Sequence, residues 1–331
     1  MKWRVVTVAA LGLCLALYVL IHIGFGTVVS AVGRVGLGGF GLLCLYGLAM
    51  CPLLAAAWFV LLPRNGARYF GVFVWARMVR EAASDLLPFS SIGGIALGAR
   101  AAILHRVPPP VAFASTIVDV TTELLAQIAF IALGLAIVSR HAASTPFSAT
   151  LVKFVLIGLA LAGIAGAVLL VLQRYGHRLT AQIAARLLPR AAAHTAAVGA
   201  MLDAIHAARA RVALSCVVHF AAWMASGAAT WIAFRLMGAH VDFLLTIAVE
   251  AFVGAVRSAA VLVPSGLGVQ EATYALLGPL FGLGPELSLA VSLLKRARDL
   301  IIGVPALLTW QGLEGARLVK SEWRGAGGEA G

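Results

Sequence analysis

The chain has 331 residues, 62% of them hydrophobic and 11% charged, with a formal net charge of +12. Soluble domains carry about a quarter charged residues, so this composition and a mean hydropathy of +0.99 exclude that class. Long apolar runs without period-two alternation exclude an outer-membrane barrel as well, leaving an all-α polytopic membrane protein.

Lys2 and Arg4 precede the apolar run Val5 to Phe25. Val29-Ser30-Ala31 would pass as a signal-peptide cleavage site, but the run has 21 residues. That suits a retained span better than the apolar core of about 7 to 15 residues in a signal peptide. Leu37 to Leu62 reads as a second span.

Tyr69 to Leu104 is apolar but interrupted by Leu86-Leu87-Pro88-Phe89-Ser90-Ser91-Ile92-Gly93-Gly94. Such a break frees backbone groups that hydrocarbon cannot solvate, so at membrane depth it must be covered by protein or face a water-filled cavity. The piece from Ile92 to Leu104 is too short for an untilted crossing, and the region is expected to form a helical hairpin, re-entrant or fully spanning. Val111 to Val138 and Leu151 to Leu172 follow as uninterrupted spans.

The stretch 173 to 211 holds six arginines (174, 178, 186, 190, 209 and 211) against one acid, Asp203. This excess marks it as cytoplasmic, and its Ala/Arg/His pattern suggests surface helices on the inner leaflet. Without interleaved aromatics it does not read as a nucleic-acid face, and anionic lipid is the expected contact. Val212 to Met237 is the next span. Phe243 to Leu283 is a second broken hairpin, cut at Val263-Pro264-Ser265-Gly266-Leu267-Gly268-Val269, and Leu287 to Trp310 is the sixth full span.

Positive residues at both termini, at Arg64, Arg68 and Arg106, and in the 173 to 211 stretch then all fall on one side, with N- and C-termini cytoplasmic. On this topology the two hairpins enter from opposite faces. The expectation is an inverted repeat, with a first unit at 1–140 (hairpin 69–104), a second at 150–313 (basic insertion 173–211, hairpin 243–283) and a tail at 314–331.

Fourteen ionisable residues lie in the hairpins and the spans after them. They are Arg77, Arg80, Glu81, Asp85, Arg100, Asp119 and Glu123 in the first half, and Glu250, Arg257, Glu271, Lys295, Arg296, Arg298 and Asp299 in the second. A charge at a helix centre costs about 2.5 to 3.5 kcal/mol to insert, so these groups are expected to converge on an interior polar cleft. Arg77, Glu81 and Asp85 share one helix face, as do Asp119, Glu123 and Gln127, and Lys295 with Asp299. Arg100, Arg296 and Arg298 could instead snorkel from helix ends. Asp119 and Glu123, one turn apart, repel unless a cation, a proton or an arginine intervenes.

The small residues ahead of Gln270 and Glu271, with Gly93 and Gly94 as counterparts, could present an anion-binding helix start or let two helices pack closely. The hairpin breaks are therefore placed at Pro88, Gly93, Gly94, Pro264, Gly266 and Gly268. His22 and His219 sit alone in apolar spans and read as hydrogen-bonded core residues. Trp3, Trp58, Trp75, Trp310 and Trp323 read as interfacial anchors. Cys14, Cys44, Cys51 and Cys216 lack disulfide or metal-ligand spacing and read as small core residues; no metal or cofactor is expected.

Three runs together resemble a known family: Arg80 to Gly94 with Gly98-Ala99-Arg100; Ile117-Val118-Asp119 with Glu123; and Arg257-Ser258-Ala259-Ala260 with Pro264, Gly266 to Glu271 and Ser292 to Leu300. They are similar to the flippase-like transmembrane domain of lysylphosphatidylglycerol synthases, and most similar to the hopanoid-biosynthesis-associated membrane proteins of the HpnL type. The resemblance implies a bacterial inner-membrane transporter or flippase for hopanoids or related lipids. It implies a headgroup path along Arg77, Arg80, Glu81, Asp85, Asp119, Glu123, Glu250, Arg257, Gln270, Glu271, Lys295, Arg298 and Asp299. Membrane lipid, hopanoid or phospholipid, is the implied partner, with hopanoid-synthesis enzymes as further candidates. Few residues follow Trp310, so aminoacyl-lipid synthesis is not expected. The alternatives are an intramembrane lipid-modifying enzyme using Asp85, Asp119 or Glu123 as acid or base, and a scaffold for lipid-synthesis enzymes.

Overall fold

The structure, a computed structural model, describes residues 25–62, 69–87, 90–141, 189–259 and 268–326, with isolated helical positions between 156 and 171. Every regular element among the described residues is helical. The helices are α1 (Phe25–Phe59), α2 (Phe70–Leu86), α3 (Ser90–Leu104), α4 (Pro109–His141), α5 (Pro189–Ala207), α6 (Arg209–Leu236), α7 (Phe243–Ala259), α8 (Val269–Leu277) and α9 (Pro285–Ala326), with a 3-10 turn at Gly278–Phe281.

Local chemistry explains the boundaries. Gly36 takes φ 72°, so α1 bends there and its second part begins where the second span was expected. α2 stops because Leu87, held extended at ψ 146°, precedes a proline, which disfavours helical backbone in the residue before it. Past α3, Arg106 takes φ 68° and Val107 N–H donates to Ala102 O at 3.2 Å, closing the helix before Pro109 opens α4. Asp242 Oδ1 accepts from Leu245 N–H at 3.0 Å and caps α7.

Among the described residues, three helices are long and apolar enough to cross a membrane, Val29–Phe59, Pro109–Arg140 and Arg209–Leu236. The expected span Leu287 to Trp310 lies within α9. Val5 to Phe25 lies outside the described residues apart from Phe25, and Leu151 to Leu172 outside them apart from isolated positions. α3 and α8 have 15 and 9 residues. At 1.5 Å per residue they reach about 22 and 14 Å, short of a hydrocarbon core of about 30 Å.

α2 and α3 form a close antiparallel pair. A Cβ at Gly94 would stand 2.8 Å from the Arg80 carbonyl oxygen, and one at Gly98 would stand 2.9 Å from Arg80 Cβ, so only glycine permits this approach. Gly93 and Gly94 are thus inside α3 rather than in the break, a correction to the expected break residues. α2 ends at Leu86 and α3 begins at Ser90. Pro88, Pro264 and Gly266 lie outside the described residues, while Gly268, at φ 77°, directly precedes α8.

One apolar core joins α1, α6, α7, α8 and α9 through Phe40, Leu43, Phe234, Val249, Tyr274 and Leu294. Another joins α1 to α4 through Trp58, Phe73, Val79 and Ala112. Trp58 corrects the anchor reading: it is fully buried, edge-on to Phe73, and its Nε1 donates to Ser115 Oγ at 3.0 Å. Within the basic stretch, residues 173–188 lie outside the described set. α5 buries Leu202 and Ile205 against Leu61, Ala114 and Val118, and Arg211 donates to Leu62 O at 2.8 Å, so this part is docked to the bundle. Leu37 (85% exposed), Leu45 and Leu276 form the apolar exterior, as in a bundle surrounded by lipid.

Candidate functional site

α2 turns Arg77 and Arg80 toward α4, where Asp119 and Glu123 occupy one face a turn apart. Arg77 donates to Asp119 Oδ2 at 3.0 Å and to Glu123 Oε1; Arg80 donates to Asp119 Oδ2 and Glu123 Oε2. His219 on α6 lies 2.9 Å from Asp119 Oδ1 through Nε2. Arg77 Nε is 2.8 Å from Glu81 Oε1, though not aligned as a hydrogen bond. Two guanidiniums therefore separate the two carboxylates, one of the three resolutions open from sequence. Asp119, Glu123 and His219 have donor atoms within 4.8 Å of one another, a spacing that a metal could accept. All four carboxylate oxygens already hold a guanidinium or imidazole nitrogen, so the geometry is that of an ion cluster.

A second cluster is built by α6, α7, α8 and α9. Lys295 Nζ lies 2.6 and 2.8 Å from the two oxygens of Glu250, 2.9 Å from Tyr274 Oη and 3.0 Å from Thr230 Oγ1. Tyr274 and Thr230 donate to Glu250 Oε2 at 2.5 and 2.8 Å, and Ser226 donates to Oε1 at 2.9 Å. A buried charge pair is tolerated when its remaining hydrogen-bonding capacity is filled in this way.

Two further polar links tie α7 to the first half. Arg257, in the last turn of α7, donates to Asp85 Oδ1 in the last turn of α2 at 2.8 Å and to Gln270 Oε1 at 3.1 Å. Gln127 on α4 donates to Gly254 O and to Ser258 Oγ on α7 at 3.1 and 2.7 Å.

Between the clusters lies a cleft of about 550 Å³. Of the residues assigned to the path, Arg80, Glu81, Asp85, Glu123, Glu250, Arg257, Lys295, Arg298 and Asp299 line it; Arg77 and Asp119 stand behind its wall, fully buried. Gln270 sits behind Arg257 and reaches Ser292 Oγ at 3.1 Å. Glu271 faces Arg296 at 3.4 Å, away from the cleft lining. The snorkelling alternative fails for Arg296, which is buried in mid-helix, and for Arg298, which donates to Asp299 inside the cleft. Arg100 is the exposed one, paired with Glu314 at 2.6 Å.

The sequence reading missed Ser226, Thr230 and Tyr274; His219 is the buried, hydrogen-bonded residue that was expected, with a partner, Asp119, that the sequence did not name. The available signal was the spacing of Ser215, His219, Ser226 and Thr230 along one stripe of α6. That stripe supplies both clusters: His219 to the first, Ser226 and Thr230 to the second.

A family model described as the lysylphosphatidylglycerol synthase TM region matches residues 3–306, and the chain belongs to that family. It is a multi-pass membrane protein of this lipid-related superfamily. No curated protein and no solved structure matches it significantly.

Proposed function

We propose that this protein moves a lipid across the bacterial inner membrane, the headgroup passing along the charged cleft while the apolar body stays in the bilayer. The lipid class proposed is the hopanoids or related lipids, with hopanoid-synthesis enzymes as candidate partners. The observation that carries the reading is the cleft itself. It is large enough for a polar headgroup and lined by charges from both halves of the chain. Charges within a membrane protein belong on solute pathways by default, because their burial is otherwise so unfavourable.

The proposed frame is an inverted repeat, 1–140 against 150–313, with both termini cytoplasmic. Support comes from the two helix pairs α2–α3 and α7–α8, each with a short return arm, and from Asp85 and Arg257 near the ends of corresponding helices. Discontinuous helices meeting near the bilayer midplane are the usual architecture of a transport site. For Asp119 and Glu123 the enzyme alternative is disfavoured by the first cluster, in which every oxygen of the two carboxylates already holds a guanidinium or imidazole nitrogen; Asp85, the third candidate, is engaged by Arg257 through Oδ1.

Proteoliposomes with labelled hopanoid and labelled phospholipid test the reading. Faster leaflet exchange with protein than without supports it; equal exchange rules it out. The lipidome of a deletion strain separates transport, where every species is made but misplaced, from enzymatic modification, where one species is lost.

A further inference from the structure

The walls of the cleft differ in chemistry. α2, α4, α7 and α9 each supply it with charged side chains and α6 with His219 and Ser226, but α1 supplies only Gly47, Met50, Cys51 and Leu54. These four recur at i, i+3, i+4 and i+7, which is one stripe of a helix. The opposite face of α1 carries Leu42, Leu45 and Leu48, all exposed on the apolar exterior. α1 is therefore a wall one helix thick and without charge, with the polar cleft on one side and hydrocarbon on the other.

That wall is lightly held at the level of the cleft. Among the described residues from 37 to 57, the one side-chain hydrogen bond to another helix is Tyr46 Oη donating to Ala225 O at 2.8 Å. Pro52 lies within the same stretch and has no N–H, so the Leu48 carbonyl loses its helical donor there. Gly36, at φ 72°, bends the helix at the other end. Beyond Pro52 the helix is fastened: Trp58 Nε1 donates to Ser115 Oγ at 3.0 Å, Phe59 packs edge-on to Phe70, and the Leu62 carbonyl accepts from Arg211.

The remaining contacts of residues 37–51 are apolar. Phe40 and Leu43 pack with Phe234 and Leu294, and α9 lies directly against Gly47, where a Cβ would stand 2.9 Å from both Arg298 Cδ and Ile302 Cδ1. In a bilayer no hydrophobic effect holds two apolar helices together, because lipid tails replace the partner's side chains. Moving this segment outward exchanges apolar contacts for lipid and breaks one polar bond. Displacing α2, α4, α7 or α9 would instead part buried or half-buried ion pairs.

We propose that residues 37–51 of α1 form a lateral gate, hinged at Gly36 and Pro52 and latched by Tyr46, that opens away from α9 to admit a lipid headgroup from the bilayer into the cleft. The gate deepens the transport reading above and rests on it for its purpose, while the admission of lipid can be measured without transport.

The test bridges Gly47→Cys to Ile302→Cys in a background with the four native cysteines replaced. The close approach of these positions suits a disulfide, whose Cβ atoms stand about 3.5 to 4.5 Å apart. The protein is reconstituted in vesicles of phosphatidylethanolamine and phosphatidylglycerol containing a hopanoid or a phosphatidylglycerol with a diazirine at its polar end. Illumination should label cleft residues in the reduced protein and not in the bridged one. Equal labelling in both states, or labelling by neither probe in either state, overturns the gate. Leaflet exchange by the same protein should stop on oxidation and return on reduction, and exchange undiminished by the bridge also overturns it. Labelling that follows the bridge, with no exchange even in wild type, would sink the transport reading and leave the gate standing. Tyr46→Phe should raise the labelling rate about fivefold, the worth of one hydrogen bond; a rate no higher than wild type removes Tyr46 as the latch.

Discussion

Asp85 and Arg257, 172 residues apart in sequence, are joined by a 2.8 Å ion pair that links the first helix of one broken pair to the first helix of the other. Both side chains are partly exposed in the cleft, at 21% and 36%, as are Glu123 and Glu81 of the first cluster, whereas Arg77, Asp119, Glu250 and Lys295 are buried. Parting this pair would free the end of α2 from the end of α7, and it is there that movement of one helix pair against the other should begin.

Reversing one charge should therefore impair transport more than stability. Asp85→Arg places a second cation against Arg257, and exchange in proteoliposomes should slow roughly tenfold, the equivalent of about 1.4 kcal/mol on a barrier. The double variant D85R/R257D should recover most of the rate. Equal rates in the single variant and wild type would remove this pair from the mechanism.

The Glu250 and Lys295 pair should behave oppositely. Lys295→Met leaves a buried carboxylate with only hydroxyl partners, and Glu250→Gln leaves a buried ammonium without its counter-charge. Each should lower stability by about 3 to 5 kcal/mol. The double variant should be less destabilised than the sum of the two, because the uncompensated charge disappears with its partner. Thermal unfolding in detergent of the four proteins checks this, and additive losses would contradict it.

Gly98→Leu should disrupt the α2–α3 pair, since the added Cβ alone would approach Arg80 Cβ to 2.9 Å. Overpacking of this kind destabilises by about 1 to 3 kcal/mol. Because Arg80 also holds Asp119 and Glu123, the variant should shift the first cluster, to be read from the His219 nitrogen resonances. Gly93→Ala, at a glycine with nothing within 4 Å, is the control and should change little.

Much of this arrangement was legible in the sequence because buried charge is so costly that its destination is constrained. Fourteen ionisable groups in apolar segments had to meet, and nine of the assigned path residues do line one cleft. Pairing was less legible. Lys295 and Asp299 share a helix face, yet they bind different partners, Glu250 and Arg298, because side-chain reach and the neighbouring helix decide the contact. The hydroxyls of Ser226, Thr230 and Tyr274 went unseen because a neutral polar group in an apolar helix is too ordinary to flag. Trp58 was misplaced since its position along the chain suggested a membrane interface, while a partner for its N–H, Ser115, stood 57 residues away inside the bundle. The glycines of α3 carried two readings, an anion-binding helix start or close packing, that only the position of Arg80 separates.

Filling the cleft tests the central claim most directly. In a background with the four native cysteines replaced, Ser258→Cys on the cleft wall and Leu45→Cys on the apolar exterior are each alkylated with the same bulky maleimide before reconstitution. Lipid exchange should stop when position 258 is labelled and continue when position 45 is. Undiminished exchange with the cleft occupied would contradict the account.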